Sequence, residues 1–144
     1  MYQIRQGVFE TNSSSVHTIS ISANGMEPCN IERTSDNYLL VPLGCFGKDY
    51  HEYNDQTTKL SYLLTRMFFE HEYDVDYMKQ SWDFECLEHD ICEYAKANGI
   101  KVVKTDDVHL DHQQFYQEDF LGRLDGGSAA FVFNKYISLV TDCD

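Results

Sequence analysis

Between residues 57 and 69 the apolar side chains recur at a single period, and that period is helical. Leu60, Leu63, Leu64, Met67 and Phe68 fall at i, i+3, i+4, i+7 and i+8, which places them on one stripe of an α-helix and on no single face of a strand. Asp55 or Thr57 can cap the start, since a short oxygen-bearing side chain there accepts from the first free backbone N–H groups. A second stripe, Phe84, Leu87, Ile91, Tyr94 and Ala95, predicts a helix over about 82–98. Asn98-Gly99 reads as its stop, because glycine takes the left-handed cap without strain. A chain with two such stripes needs another layer to cover them.

The ends of the sequence supply that layer. Residues 2–9 alternate loosely and are rich in aromatic and β-branched types, and residues 16–22, VHTISIS, alternate cleanly. His17 then shares a face with Ile19 and Ile21. Residues 23–36 read as loop, with Asn24-Gly25 as a turn signal and Pro28 as a breaker. Tyr38–Leu43 and Ile100–Lys104 read as strands, and 114–124 as a short helix around Phe115, Phe120 and Leu124. After an Asp125-Gly126-Gly127 turn, Ala129–Phe133 and Tyr136–Val140 read as a hairpin joined at Asn134-Lys135. The expectation is one α+β domain over 1–144, with two main helices on a mostly antiparallel sheet built from the N- and C-terminal strands. The length of 144 residues suits one core. A hydrophobic content of 42% is too high for a disordered acidic tail.

Charge narrows the function. Acidic residues outnumber basic ones 24 to 11, and the excess lies in the second half. Residues 70–93 hold nine carboxylates, Glu70, Glu72, Asp74, Asp76, Asp83, Glu85, Glu88, Asp90 and Glu93, against the single lysine Lys79. Such a field repels nucleic acid and attracts basic surfaces. Direct nucleic-acid binding is disfavoured, and a basic protein partner fits. A merely solubilising surface accounts for the same charges. Were 70–76 extended, Glu70, Glu72, Asp74 and Asp76 would project to one side about 6.6 Å apart, with His71, Tyr73, Val75 and Tyr77 anchoring the strip to the core. No apolar run is long enough for a membrane span, and the N-terminus has no signal-peptide pattern, so the expected compartment is the cytoplasm. Five cysteines without a CxxC pair read as thiols in a reducing compartment.

Three constellations carry possible chemistry. In Asn12-Ser13-Ser14-Ser15-Val16-His17, hydroxyls and backbone amides at a strand entry would suit a phosphate, or would satisfy their own turn. Ser15 and His17 point the same way, but no nucleophile elbow accompanies them. In His109-Leu110-Asp111-His112-Gln113, two imidazoles and a carboxylate supply two or three ligands to a zinc ion. A polar strand end with Asp111 bonded to a neighbouring ring is the other reading. Cys86, His89 and Cys92 lie on one helix, but position 92 is about 240° round from 86. They cannot converge on one ion, and Cys92 reads as core packing.

The string Arg5-Gln6-Gly7-Val8-Phe9-Glu10-Thr11-Asn12-Ser13-Ser14-Ser15-Val16-His17, with Asp111-His112-Gln113 and Phe133-Asn134, resembles a signature of small proteins of bacteriophages, mobile elements and their Firmicutes hosts. The pattern is RxGxFETNSSSxH near the start, then DHQ and an FN hairpin before acidic residues, here Asp142 and Asp144. The resemblance covers both ends and little of 25–105. If the two motifs mark one site, it implies that His17 meets Asp111 and His112 around a zinc ion, with His109, Asp142 or Asp144 as a further ligand. In size, charge and source the chain is similar in kind to anti-CRISPR proteins that block Cas9-type effectors, whose nucleic-acid channels are basic. The leading expectation is therefore a metal-stabilised acidic inhibitor of a nucleic-acid-handling host enzyme. The alternative is a metal- or phosphate-dependent hydrolase using Ser13–His17 and His109–Gln113.

Overall fold

The computed structural model describes residues 2–6, 25–47, 50–110 and 127–141, residues 2–6 by backbone alone. Strands are β1 (Tyr2–Gln6), β2 (Tyr38–Pro42), β3 (Cys45–Phe46), β4 (His51–Tyr53), β5 (Gly99–Val103), β6 (His109–Leu110) and β7 (Ile137–Thr141). Helices are α1 (Gln56–Glu70), α2 (Val75–Lys79), α3 (Trp82–Ala95) and α4 (Gly127–Phe133). Helix and strand are thus mixed, as the two periodicities require.

The N- and C-terminal strands do share a sheet. β7 lies between β1 and β4 and runs antiparallel to both, with Tyr2 opposite Thr141, Gln6 opposite Ile137 and Tyr53 opposite Leu139. The rest corrects the mostly antiparallel expectation. β2 pairs with β5, and β3 with β6, in parallel. Two of the four pairings among the described strands are therefore parallel. A parallel pair needs a long crossover, and the segment carrying α1, α2 and α3 connects β2 to β5. A near-continuous apolar run such as 38–43 suits a parallel strand, but alone it does not name the partner.

α1 forms where its stripe places it and is capped by Asp55, whose carboxylate accepts from Thr58 N at 3.0 Å and Thr58 Oγ1 at 2.7 Å. The stripe understates its burial: Gln56 and all of 59–68 are buried. A helix with polar positions can sink this far because those positions find partners. Ser61 Oγ donates to Pro42 O at 2.6 Å, and Thr65 Oγ1 accepts from Gly44 N at 3.0 Å. The Gln56 amide donates to Pro28 O at 2.9 Å and accepts from Asn30 N at 2.8 Å. Lys59 Nζ donates to Asn134 O at 2.9 Å and Ile137 O at 2.7 Å. These bonds fasten α1 to the β2–β3 link, the 28–30 segment and the α4–β7 turn.

α3 starts at Ser81, whose hydroxyl accepts from Phe84 N at 3.2 Å, and buries Phe84, Leu87, Ile91 and Ala95. It stops at Ala95, short of the expected residue 98. Lys96 takes the left-handed conformation, φ 59° and ψ 48°. Arg33 Nη1 and Asn37 Nδ2 reach the freed Lys96 carbonyl at 3.1 and 2.9 Å, and Arg33 Nη2 bonds Ala95 O. Gly99 opens β5 instead of ending the helix. A Cβ there would lie 2.7 Å from the Tyr38 ring and 3.1 Å from Glu88 Oε2, so glycine is required by close approach.

The expected C-terminal hairpin is replaced by a helix and a strand. Residues 127–133 form α4, and only the second arm, β7, is extended. Phe131 and Phe133 are both fully buried, and Tyr94 stacks on Phe133 at 4.4 Å between centroids. A short apolar run buried on every side carries no readable period. One hydrophobic cluster joins β2, α1, α2, α3, α4 and β7 through Leu39, Leu60, Met78, Ile91, Phe131 and Leu139. Among the described residues no helix is long and apolar enough to cross a membrane.

Candidate functional site

The acidic stretch is carried by the α1–α2–α3 corner. α1 ends at His71, whose N–H returns to Met67 O at 2.9 Å. Glu72 and Tyr73 follow with φ of 60° and 59°, reversing the chain. Asp74 caps α2 by accepting from Tyr77 N at 3.1 Å. Met78 is fully buried and pins α2 to the core. Ser81 then starts α3. This path overturns the extended strip: two left-handed residues and a helix cannot place Glu70, Glu72, Asp74 and Asp76 in a row at the strand repeat. Of the four expected anchors Val75 packs against the core and His71 is half-buried, but Tyr73 and Tyr77 are exposed, and Met78 is the fully buried residue of the segment.

The carboxylates themselves stay outside. Glu70, Glu72, Asp74, Asp76, Asp83, Glu85, Asp90 and Glu93 are exposed. Glu88 alone is half-buried, its Oε2 accepting from Ile100 N at 2.9 Å, which joins α3 to β5. Few basic side chains stand beside them. Arg66 reaches Glu70 at 3.2 Å, and His71 Nε2 stands 3.8 Å from Asp83. His89 lies 3.7 Å from both Asp90 and Glu93. The result is an exposed acidic ridge along 70–93, with the starts of α2 and α3 capped and α2 held to the core by Met78.

The metal set stands differently. His17, Asp111 and His112 lie outside the described residues, as do Ser13–Ser15, Gln113, Asp142, Asp144 and the expected 114–124 helix. His109 is half-buried in β6, opposite Cys45, its N–H donating to Gly44 O at 3.1 Å. Among the described residues no three His, Cys, Asp or Glu side chains gather as metal ligands. Cys86, His89 and Cys92 do not converge, as helix geometry requires. Cys92 packs against the core, and burial pushes its thiol up to about 11. Cys29, Cys45, Cys86 and Cys92 are free thiols.

An open cleft of about 440 Å³ lies between α3 and α4, lined by Asp90, Glu93, Tyr94, Lys96 and Ala129. Its tyrosine hydroxyl donates to Glu27 O at 2.7 Å, and Ser128 Oγ lies 3.4 Å from Asp90 Oδ2. Neither group is arranged as a nucleophile with a base.

Two features escaped sequence reasoning. Lys59 is fully buried, although a lysine beside a helical stripe ordinarily reads as surface. Trp82, Tyr73 and Tyr77 project from the acidic ridge, where aromatic residues ordinarily read as core. No protein-family model, curated protein or solved structure matches this chain.

Proposed function

We propose that the chain is an interaction protein that presents its 70–93 ridge to a basic protein surface and so excludes nucleic acid from it. The observation that carries this reading is the exposure of eight of the nine carboxylates along 70–93. Charge of one sign, concentrated on one folded segment, speeds encounter with an oppositely charged surface and disfavours wrong partners. Preorganisation lowers the ordering cost of binding. The sequence resemblance nominates the class of target: a Cas9-type effector, whose channel holds a guide–target heteroduplex by its backbone and is strongly basic. The role asks for no catalytic group. A zinc ion at His17, Asp111 and His112 would belong to the same reading as a structural ligand, because structural zinc contributes its binding energy to folding.

An order-of-addition assay tests the proposal. Purified Cas9-type effector is mixed with this protein before or after guide RNA and target DNA, and cleavage is followed. The reading expects strong inhibition when the protein is added first and weak inhibition once the channel is filled. Equal inhibition in both orders, or none in either, contradicts it.

A further inference from the structure

Among the described residues, three of the most exposed aromatic side chains lie within ten positions of one another, on the acidic ridge. Tyr73 is 56% exposed, Tyr77 50% and Trp82 73%. A single exposed aromatic is ordinary; three on one corner, among carboxylates, are not explained by folding. The rings are also supported from beneath. Tyr73 makes edge-to-face contacts with Phe69 at 5.0 Å and Phe68 at 6.0 Å. Tyr77 stands edge-on to His71 at 5.6 Å, and that imidazole lies 3.8 Å from Asp83, the neighbour of Trp82 on α3. Tyr73, Tyr77 and the His71–Asp83 pair thus bring rings and carboxylates to the α1–α2–α3 corner, and Trp82 opens α3 one residue before Asp83.

We propose that this patch takes an arginine-rich segment of the partner protein. The inference rests on the acidic ridge being the binding face and adds what chemistry that face selects. A guanidinium is planar and weakly hydrated; it stacks on aromatic rings while its edge forms paired hydrogen bonds to a carboxylate. An ammonium is compact and strongly hydrated, so it gains less from the rings and cannot pair with a carboxylate through a planar edge. Exposed tyrosine and tryptophan are the residue types that anchor protein interfaces, and the surrounding charge repels phosphate. A patch of rings and carboxylates together therefore discriminates arginine from lysine more than carboxylates alone do.

Trp82 is the only tryptophan in the chain, so its emission reports binding at the start of α3. The experiment titrates the full chain with an arginine–glycine repeat peptide and with a lysine–glycine peptide of equal charge, at about 0.15 M salt. The proposal expects the arginine peptide to shift Trp82 emission and to bind about ten-fold more tightly than the lysine peptide. The double change Tyr73→Ser with Tyr77→Ser should remove that preference, and Tyr50→Ser, at another exposed tyrosine, should leave it unchanged. Equal binding of the two peptides overturns the selection of arginine and leaves the acidic face standing as a binding surface. A preference that survives Tyr73→Ser with Tyr77→Ser overturns the assignment to this patch. Binding of neither peptide overturns both this inference and the function it rests on.

Discussion

Replacing Lys59 with methionine should change how stability depends on pH. Lys59 is fully buried on α1, and its ammonium donates to two backbone carbonyls, Asn134 O and Ile137 O, with the Phe131 ring 5.7 Å away. Burial pushes it from the usual 10.5 down to about 7, with Asp55 opposing the fall. In the unfolded chain the side chain keeps its proton to about pH 10.5. Between pH 7 and 10.5 the unfolded chain therefore binds more protons than the folded one, and stability rises with pH. The full span corresponds to roughly 5 kcal/mol at about 1.4 kcal/mol per pH unit, of which about half falls between pH 6 and 9. Lys59→Met removes this dependence. It also strands two carbonyls, at about 1–3 kcal/mol each. Near pH 7 these losses nearly cancel the relief of burying a charge, so stability at one pH decides little and the slope decides more. Urea unfolding of both proteins at several pH values is the assay. The wild type should gain about 2–3 kcal/mol on the variant between pH 6 and 9. Parallel profiles would refute the reasoning and show Lys59 carrying the same charge in both states.

Gly99→Ala should destabilise by about 1–3 kcal/mol, because its Cβ would meet the Tyr38 ring at 2.7 Å and force the β2–β5 pair to adjust; an unchanged urea midpoint would mean the ring yields freely. Asp55→Ala should cost about 1 kcal/mol through loss of the cap on α1, measured by the same unfolding curve, with no loss showing that the buried flanks of α1 hold its start unaided. Elemental analysis should find zinc bound to the full chain, and His17→Ala with His112→Ala should remove it and lower the melting temperature; metal-free protein that melts at the same temperature would discard the ligand set.

Much of the architecture was legible where a residue's burial and its period agree. Phe84 to Ala95 announce α3 because a half-covered helix must show its stripe, and Leu60 to Phe68 announce α1, though it is buried nearly all round, because polar residues such as Ser61 and Thr65 stand between its apolar ones. What the period cannot hold was missed. Phe131–Phe133 are covered on every side, so helix and strand look alike there. Lys96 rather than Gly99 turns the end of α3, because Arg33 and Asn37, more than fifty residues away in sequence, support the left-handed residue. At the site, the carboxylates were legible as charge, and all but Glu88 proved exposed. Their arrangement was not legible: the turn through Glu72 and Tyr73 depends on Met78 finding the core. For the same reason Tyr73 and Tyr77 could not be told from anchoring residues, since alternation alone does not say which side of a segment meets the protein.

The central claim is that the ridge, by its charge, brings a basic protein surface to this chain. The most direct measurement is the rate of association with nucleic-acid-free Cas9-type effector as salt is raised. Two variants accompany it: Glu72→Lys, Asp76→Lys and Glu85→Lys on the ridge, and Glu32→Lys, Glu52→Lys and Asp106→Lys elsewhere on the exposed surface. Asp74 is left in place because it caps α2. The Debye length falls from about 30 Å at 0.01 M to about 8 Å at 0.15 M, so the wild-type rate should drop about ten-fold or more over that range. The ridge variant should associate slowly at every salt concentration and the distant variant nearly as fast as wild type. Rates that ignore salt, or that fall equally in the two variants, would contradict the account.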